Sequence, residues 1–231
     1  MMEAVISGDV IASTSLSDSG RNKLEVSLRE MLQTLQQKYN VYGRLIKGDY
    51  LECYVPELAN AFRIALAIKS FVKSIPLESN DFGKPSDTRI KFFKMHGIRL
   101  AIGIGTLSRL NIEKGIIDGE AIYNSGRIIN DNKTFNKEKV VIKNTLFIKS
   151  PDDALDKELE PLLALIDVLF SKCTAKQSEV IYLKLLGNSE EFIAKKMGIN
   201  QPTVNQHSTS SGWNAIEKAV QRYEFVIKNL N

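Results

Sequence analysis

Apolar residues along this chain follow two periods, and the change between them divides it. Residues 2–12 are rich in Val and Ile and read as a buried strand. A Ser/Thr/Asp/Gly stretch at 13–20 follows, suited to a loop that caps a helix. From 21 to 39, Leu24, Leu28, Met31, Leu32 and Leu35 recur at helical spacing. Residues 41–48 and 50–55 form a hairpin that turns at Gly48-Asp49, and Pro56-Glu57 opens a second amphipathic helix from 58 to about 75. Its Phe62, Ala65, Leu66, Ile68 and Phe71 are placed to cover a sheet.

Residues 76–88, with Pro76, Asn80, Gly83, Pro85 and Ser86, predict a loop. An alternating strand follows over 96–105, then a third helix from Glu120 to about Asn130. Val140-Val141-Ile142 and Leu146-Phe147-Ile148 predict late strands. The order β-α-β-β-α-β is the split βαβ, or ferredoxin-like, plan of an α+β fold, extended to about residue 150.

At Pro151-Asp152-Asp153 the texture changes, and everything beyond is helical. Residues 151–173 predict a connecting helix, apolar on one side through Leu159, Leu162, Leu163, Ile166 and Phe170. Residues 174–231 predict an all-α helix-turn-helix domain. Such a motif needs a small residue where its helices cross, a glycine in the turn, and a β-branched residue to pack the second helix back. Ala194, Gly198 and Val204 stand at those intervals, and Gly198 can take a positive φ. With those faces buried, Asn200, Gln201, Pro202, Thr203, Asn205, Gln206 and Thr209 point outward. Asn and Gln suit bidentate contact with adenine edges in a major groove, so double-stranded DNA is the expected partner.

Charge tempers that expectation. From residue 174 onward seven Lys and Arg face five Glu, a thin excess for a reader held mainly by phosphates. A homodimer with recognition helices about 34 Å apart would bind better than a monomer. An apolar stripe on the last helix (Ala215, Ile216, Ala219, Val220, Tyr223, Val226, Ile227 and Leu230) could serve such a dimer or pack within its own chain.

The 231 residues carry a net charge of +4, 43% hydrophobic and 25% charged side chains, ordinary for a globular protein. The two cysteines, Cys53 and Cys173, have no metal-ligand spacing and suit a reduced compartment. With no apolar run near 20 residues and no leader pattern at the N-terminus, the expectation is a cytoplasmic protein and no membrane partner.

Chemistry is suggested by Asp9 and Asp49, each closing an apolar strand-like run, with one helix-length segment between. If that segment is a right-handed crossover, the strands leading into them run parallel and end on one rim, where open α/β sheets bind ligands. Two carboxylates there could hold magnesium or manganese (Mg2+ or Mn2+) against a nucleotide ligand. The alternative is a cap at Asp9 and a tight turn at Asp49, where Asp is common in any case.

Gly8-Asp9-Val10-Ile11-Ala12-Ser13-Thr14 resembles the first-metal motif of class III nucleotidyl cyclases, and Lys47-Gly48-Asp49 their hairpin Gly-Asp. Residues 98–105 resemble their Arg-Ile-Gly-Ile strand, and 119–128 their Gly-Asp-x-Val-Asn-x-Ala-x-Arg-Leu helix. The resemblance spans roughly residues 3–145. It implies a cyclase-like palm with Asp9 and Asp49 as metal ligands and Arg127 and Asn124 toward the nucleotide. Departures accompany it. Tyr123 stands where those enzymes place the ribose-orienting asparagine, and Asn124, one residue on, is turned by about 100° on a helix. Leu45 and Ile116 replace the base-recognising Lys and Asp. Asp118-Gly119-Glu120-Ala121 with Ser125-Gly126-Arg127 is similar to the SatD-like family, a cyclase palm followed by a helix-turn-helix. Residues 174–187 and 203–207 resemble sigma-factor region 4 and LuxR-type domains.

These features together predict a palm over 1–150, a connecting helix over 151–173 and a DNA reader over 174–231. Function divides between a transcription regulator with a degenerate cyclase-like sensor and an active homodimeric cyclase controlled by its helical domain. No catalytic residue is assigned.

Overall fold

The computed structural model describes residues 2–84, 86–132, 142 and 144–230. Among them, β1 (Glu3–Val10), α1 (Asp18–Tyr39), β2 (Tyr42–Ile46), β3 (Tyr50–Val55) and α2 (Ala61–Ser74) come first. Then follow α3 (Ile90–His96), β4 (Ile98–Gly105), β5 (Leu107–Asn111), β6 (Ile116–Gly119), α4 (Glu120–Asp131) and β7 (Leu146–Lys149). The remainder is α5 (Asp153–Lys172), α6 (Ala175–Leu185), α7 (Glu190–Met197), α8 (Gln201–Ser210) and α9 (Trp213–Lys228). No described helix is long and apolar enough to cross a membrane.

The fold is mixed α+β, with a five-stranded mixed sheet in the order β2-β3-β1-β4-β7. β1 lies antiparallel to both β3 and β4, while β7 runs parallel to β4. β1 and β2 therefore point the same way, as the crossover argument requires. They are not neighbours, because β3 lies between them.

Alternation along β1 sends Ala4, Ile6 and Val10 into the main core with Leu24, Leu28, Met31 and Leu35 of α1 and Phe62, Ala65 and Ile68 of α2. Val5, Ser7 and Asp9 face the other way, toward α4 and the β5–β6 hairpin. There α4 lies unusually close to β4, because a side chain at Gly103 would stand 2.0 Å from the Ala121 carbonyl oxygen. Ser7 and Ser125 share a 2.8 Å hydroxyl bond across that contact.

Three boundaries depart from the sequence reading. α1 begins at Asp18, inside the expected loop: Ser17 caps it through Gly20 N–H, and Gly20 is needed because a Cβ there would meet the Asp81 carbonyl oxygen at 2.0 Å. His96 ends α3 instead of opening the strand, since Gly97 takes φ +67° and reverses the chain. The 76–88 loop holds a helical turn at Ser79–Asp81 and bridges back, Phe82 to Leu16. Leu146-Phe147-Ile148 falls within β7, whereas the strand expected at Val140-Val141-Ile142 lies largely outside the described residues.

One hydrophobic cluster continues from the sheet into the C-terminal helices. α6 lies along α2, with Phe71 and Tyr182 edge to face at 5.0 Å. The α9 stripe also turns inward. Ile216, Ala219, Val220, Tyr223 and Ile227 are buried, Tyr223 packs on Phe62 at 5.4 Å, and its hydroxyl donates to the Leu58 carbonyl at 3.3 Å. Arg63 and Glu224 close the edge of this contact at 2.7 Å. Most of that stripe packs within its own chain, while Ala215 and Leu230 at its ends stay exposed.

Candidate functional site

Asp9 closes β1 and Asp49 follows β2, two strands that point the same way on either side of β3, so both residues come to one rim of the sheet. Lys47 and Gly48 take φ +60° and +77°, and this tight turn brings Asp49 back beside β1, where its carbonyl accepts the Val10 N–H at 3.0 Å. The backbones adjoin, but the carboxylates engage different partners. Asp9 stands opposite Tyr50 on β3 and Arg99 on β4, and its Oδ2 accepts from Arg99 Nη1 at 3.2 Å. Asp49 Oδ2 accepts from the Ser13 hydroxyl at 2.6 Å.

Arg99 is only 2% exposed, and among the described residues its Nε is buried without a hydrogen-bond partner. Burial pulls its guanidinium below the usual range, and Asp9 counters that pull. Such a cation neutralises Asp9 on the spot. A cavity of about 260 Å³ opens beside Asp49, with Ser13, Thr14, Arg21 and Lys47 in its walls, and Asp9 is not among its lining residues. No group of three or more His, Cys, Asp or Glu among the described residues could hold a metal ion. The two aspartates expected to share a divalent ion thus each have one oxygen, Oδ2, engaged by a protein donor, Arg99 or Ser13.

The two α4 candidates also part company. Asn124 Nδ2 donates to the Ile104 carbonyl at 3.0 Å, which fastens α4 to β4. Arg127 is exposed on the outer side of the same helix. Tyr123, which replaces the expected asparagine, donates its hydroxyl to Asp118.

In the C-terminal half, α7 and α8 are joined through Gly198 at φ +65°, and Ile193, Ala194 and Val204 are buried at the crossing. Val204 and Ser208 anchor α8, leaving Gln201, Pro202, Asn205, Gln206 and Thr209 exposed. Asn200 and Thr203 are more committed. Asn200 caps α8, its Oδ1 accepting the Thr203 N–H at 2.9 Å and the Thr203 hydroxyl at 2.7 Å. Of the nearby cations, Lys184 is held by Glu190 and Lys176 by Glu179, while Lys195 and Lys196 are exposed outside those pairs.

A buried polar network joins the two halves, and the sequence reading did not anticipate it. Lys69 of α2, fully buried, meets Asp167 of α5 at 3.0 Å and donates to the Thr145 hydroxyl at 2.6 Å and the Ile98 carbonyl at 3.2 Å. Thr145 returns both its N–H and its hydroxyl to Asp167. Burial pushes the Asp167 carboxyl up, but the Lys69 ammonium and the Thr145 bonds outweigh it and hold the group below the usual carboxylate range. Beside them His96 is driven down to about 4, by burial first and then by the Lys69 charge. A lysine within an otherwise apolar helical stripe was the available signal, since such a charge survives burial only if paired.

No protein-family model matches the chain, and no curated protein matches its sequence. Among solved structures it is similar to a bacterial light-regulated adenylyl cyclase, with TM-score 0.42 and 14% identity over 64% of this chain and 74% of that one. It is also similar to the guanylyl cyclase Cya2, with TM-score 0.36 and 12% identity over 57% of this chain and 70% of that one. Likeness at this level carries no argument about activity.

Proposed function

We propose that this chain is a DNA-binding regulator whose palm serves as a non-catalytic platform for the reader. The observation that carries the proposal is the outward face of α8. Gln201, Asn205, Gln206 and Thr209 are solvent-exposed on a helix fixed by Val204 and Ser208, with its Asn200 cap and a positive-φ glycine turn ahead of it. Those side chains are donors and acceptors suited to base edges. Lys195, exposed on α7, would meet a phosphate.

Fluorescence anisotropy on pooled genomic fragments tests this reading. Gln201→Ala with Gln206→Ala should weaken specific binding by about 30- to 25,000-fold, since two lost base contacts at about 1–3 kcal/mol each sum to about 2–6 kcal/mol. The specificity ratio over random DNA should fall with it. Equal affinity for all fragments, or no effect of the pair, would exclude a base-reading role for α8.

A second reading keeps the nucleotide at the rim. Its support is the cavity beside Asp49, where Arg21 and Lys47 could face phosphate oxygens. Incubation with ATP or GTP and Mn2+ should then yield a cyclic product, or at least saturable nucleotide binding, lost in Asp49→Asn. The Arg99 contact to Asp9 and the departures at Tyr123, Leu45 and Ile116 favour a platform over a catalyst.

A further inference from the structure

A recess of about 330 Å³ opens at the seam between the palm and the C-terminal helices, away from both the aspartate rim and the exposed face of α8. Phe71 and Ile75 from the end of α2, Pro76, and Tyr182 and Leu183 of α6 form an apolar floor, and Lys196 of α7 stands at the mouth. Its volume is at the low end for small-molecule sites, enough for a single or fused planar ring with a short arm.

The polar groups on its rim restrict the chemistry further. Lys176 and Glu179 pair with each other at 3.1 Å and so cancel. Lys196 has no ion-pair partner among the described residues, which leaves one positive charge at the mouth. The Ser27 hydroxyl donates to the Lys23 carbonyl at 2.8 Å and the Ser74 hydroxyl to the Phe71 carbonyl at 2.7 Å. With their protons engaged, both oxygens can offer only lone pairs to an occupant. The matching molecule is flat and aromatic, carries one anionic group for Lys196, and can present a ring N–H to a serine oxygen.

We infer that this seam recess binds a small aromatic carboxylate, its ring against Phe71, Ile75 and Tyr182 and its carboxylate on Lys196. The walls come from α1 and α2 on one side and from α6 and α7 on the other, so the occupant bridges the two halves. Because α7 packs on α8, it would also stiffen the support of the exposed helix. The binding itself does not depend on the DNA-binding reading.

Isothermal titration of the full chain with indole-3-acetate tests the site, and tryptamine, with the same ring and a cationic arm, is the control. One saturable site with Kd below about 1 mM is expected, with no measurable heat from tryptamine. Lys196→Glu, at an exposed position, should weaken binding by about tenfold or more, as loss of a charge-assisted bond does. Ser74→Phe, filling the recess, should abolish it; circular dichroism of both variants verifies the fold. Absence of saturation by about 10 mM, equal binding of tryptamine, or less than about a threefold effect of Lys196→Glu would overturn the assignment.

Discussion

The Lys69–Asp167 pair gives the sharpest prediction. Asp167→Asn keeps the size of the side chain and an oxygen for the Thr145 N–H, but it removes the negative charge facing a fully buried ammonium and turns an amide NH2 toward Lys69 and the Thr145 hydroxyl, which had donated to that oxygen. Lys69 can then remain charged without a counter-ion or give up its proton. Neutralising a lysine of ordinary pKa at pH 7 costs at most about 4.6 kcal/mol, from 1.36 kcal/mol for each of roughly 3.4 pH units. Breaking one side of a buried pair typically costs about 3–5 kcal/mol, and the two bounds agree. With a urea m-value of about 3 kcal/mol/M, the midpoint should fall by about 1–1.5 M. The deficit should shrink as pH rises toward about 10. The unfolded chain still binds the Lys69 proton there while the folded variant does not, so stability rises with pH. Lys69→Met added to Asp167→Asn removes the stranded charge and should recover most of the loss. A loss under about 1 kcal/mol at pH 7, or a double variant no better than the single, would refute the account of this network as a paired charge between the halves.

His96 should make the protein sensitive to mild acid. Its folded pKa of about 4 lies below the roughly 6.5 of an unfolded chain, so the unfolded state binds the extra proton as pH falls. Stability should drop by about 2 kcal/mol between pH 7 and 5, and His96→Gln should flatten that slope; parallel profiles for the two proteins would exclude His96 as the cause. Two glycines should fail for different reasons. Gly103→Ala puts a carbon 2.0 Å from the Ala121 carbonyl oxygen and 2.6 Å from the Ser125 nitrogen, so α4 must lift, with loss of more than about 2 kcal/mol. Gly198→Ala meets nothing within 4 Å and should cost only about 1–2 kcal/mol for its positive φ. Thermal melts followed by circular dichroism would rank them, and the reverse order would contradict both explanations.

The features legible in the sequence are those whose cause is local. β1, β4, the β2–β3 hairpin and α7–Gly198–α8 each carry their period, turn residue or cap within a dozen positions, and each was readable. The β5–β6 hairpin was not. In Leu107–Asn111 the three central residues are exposed, so no apolar alternation marks it. The short helix α3 interleaves Lys91 and Lys94 with its apolar residues and has Phe93 and His96 as its buried members, too few to set a period. The site shows the same division in chemical terms. That Asp9 and Asp49 would reach a common rim could be argued from strand order, since topology limits where a strand can end. Where their carboxylates would point could not. That is decided by Arg99, 90 positions from Asp9, and by Ser13, 36 positions before Asp49, through contacts that appear only once the register is set. Lys69 and Asp167 make the point most strongly. Each looks like an isolated charge in an apolar stripe, and only the fold, which packs α5 on β7 and α3, makes each one the counter-ion of the other. A charge on a buried helical face is therefore better read as a missing partner than as noise. Arg99, in the continuously buried β4, is the same case, and its partner is Asp9.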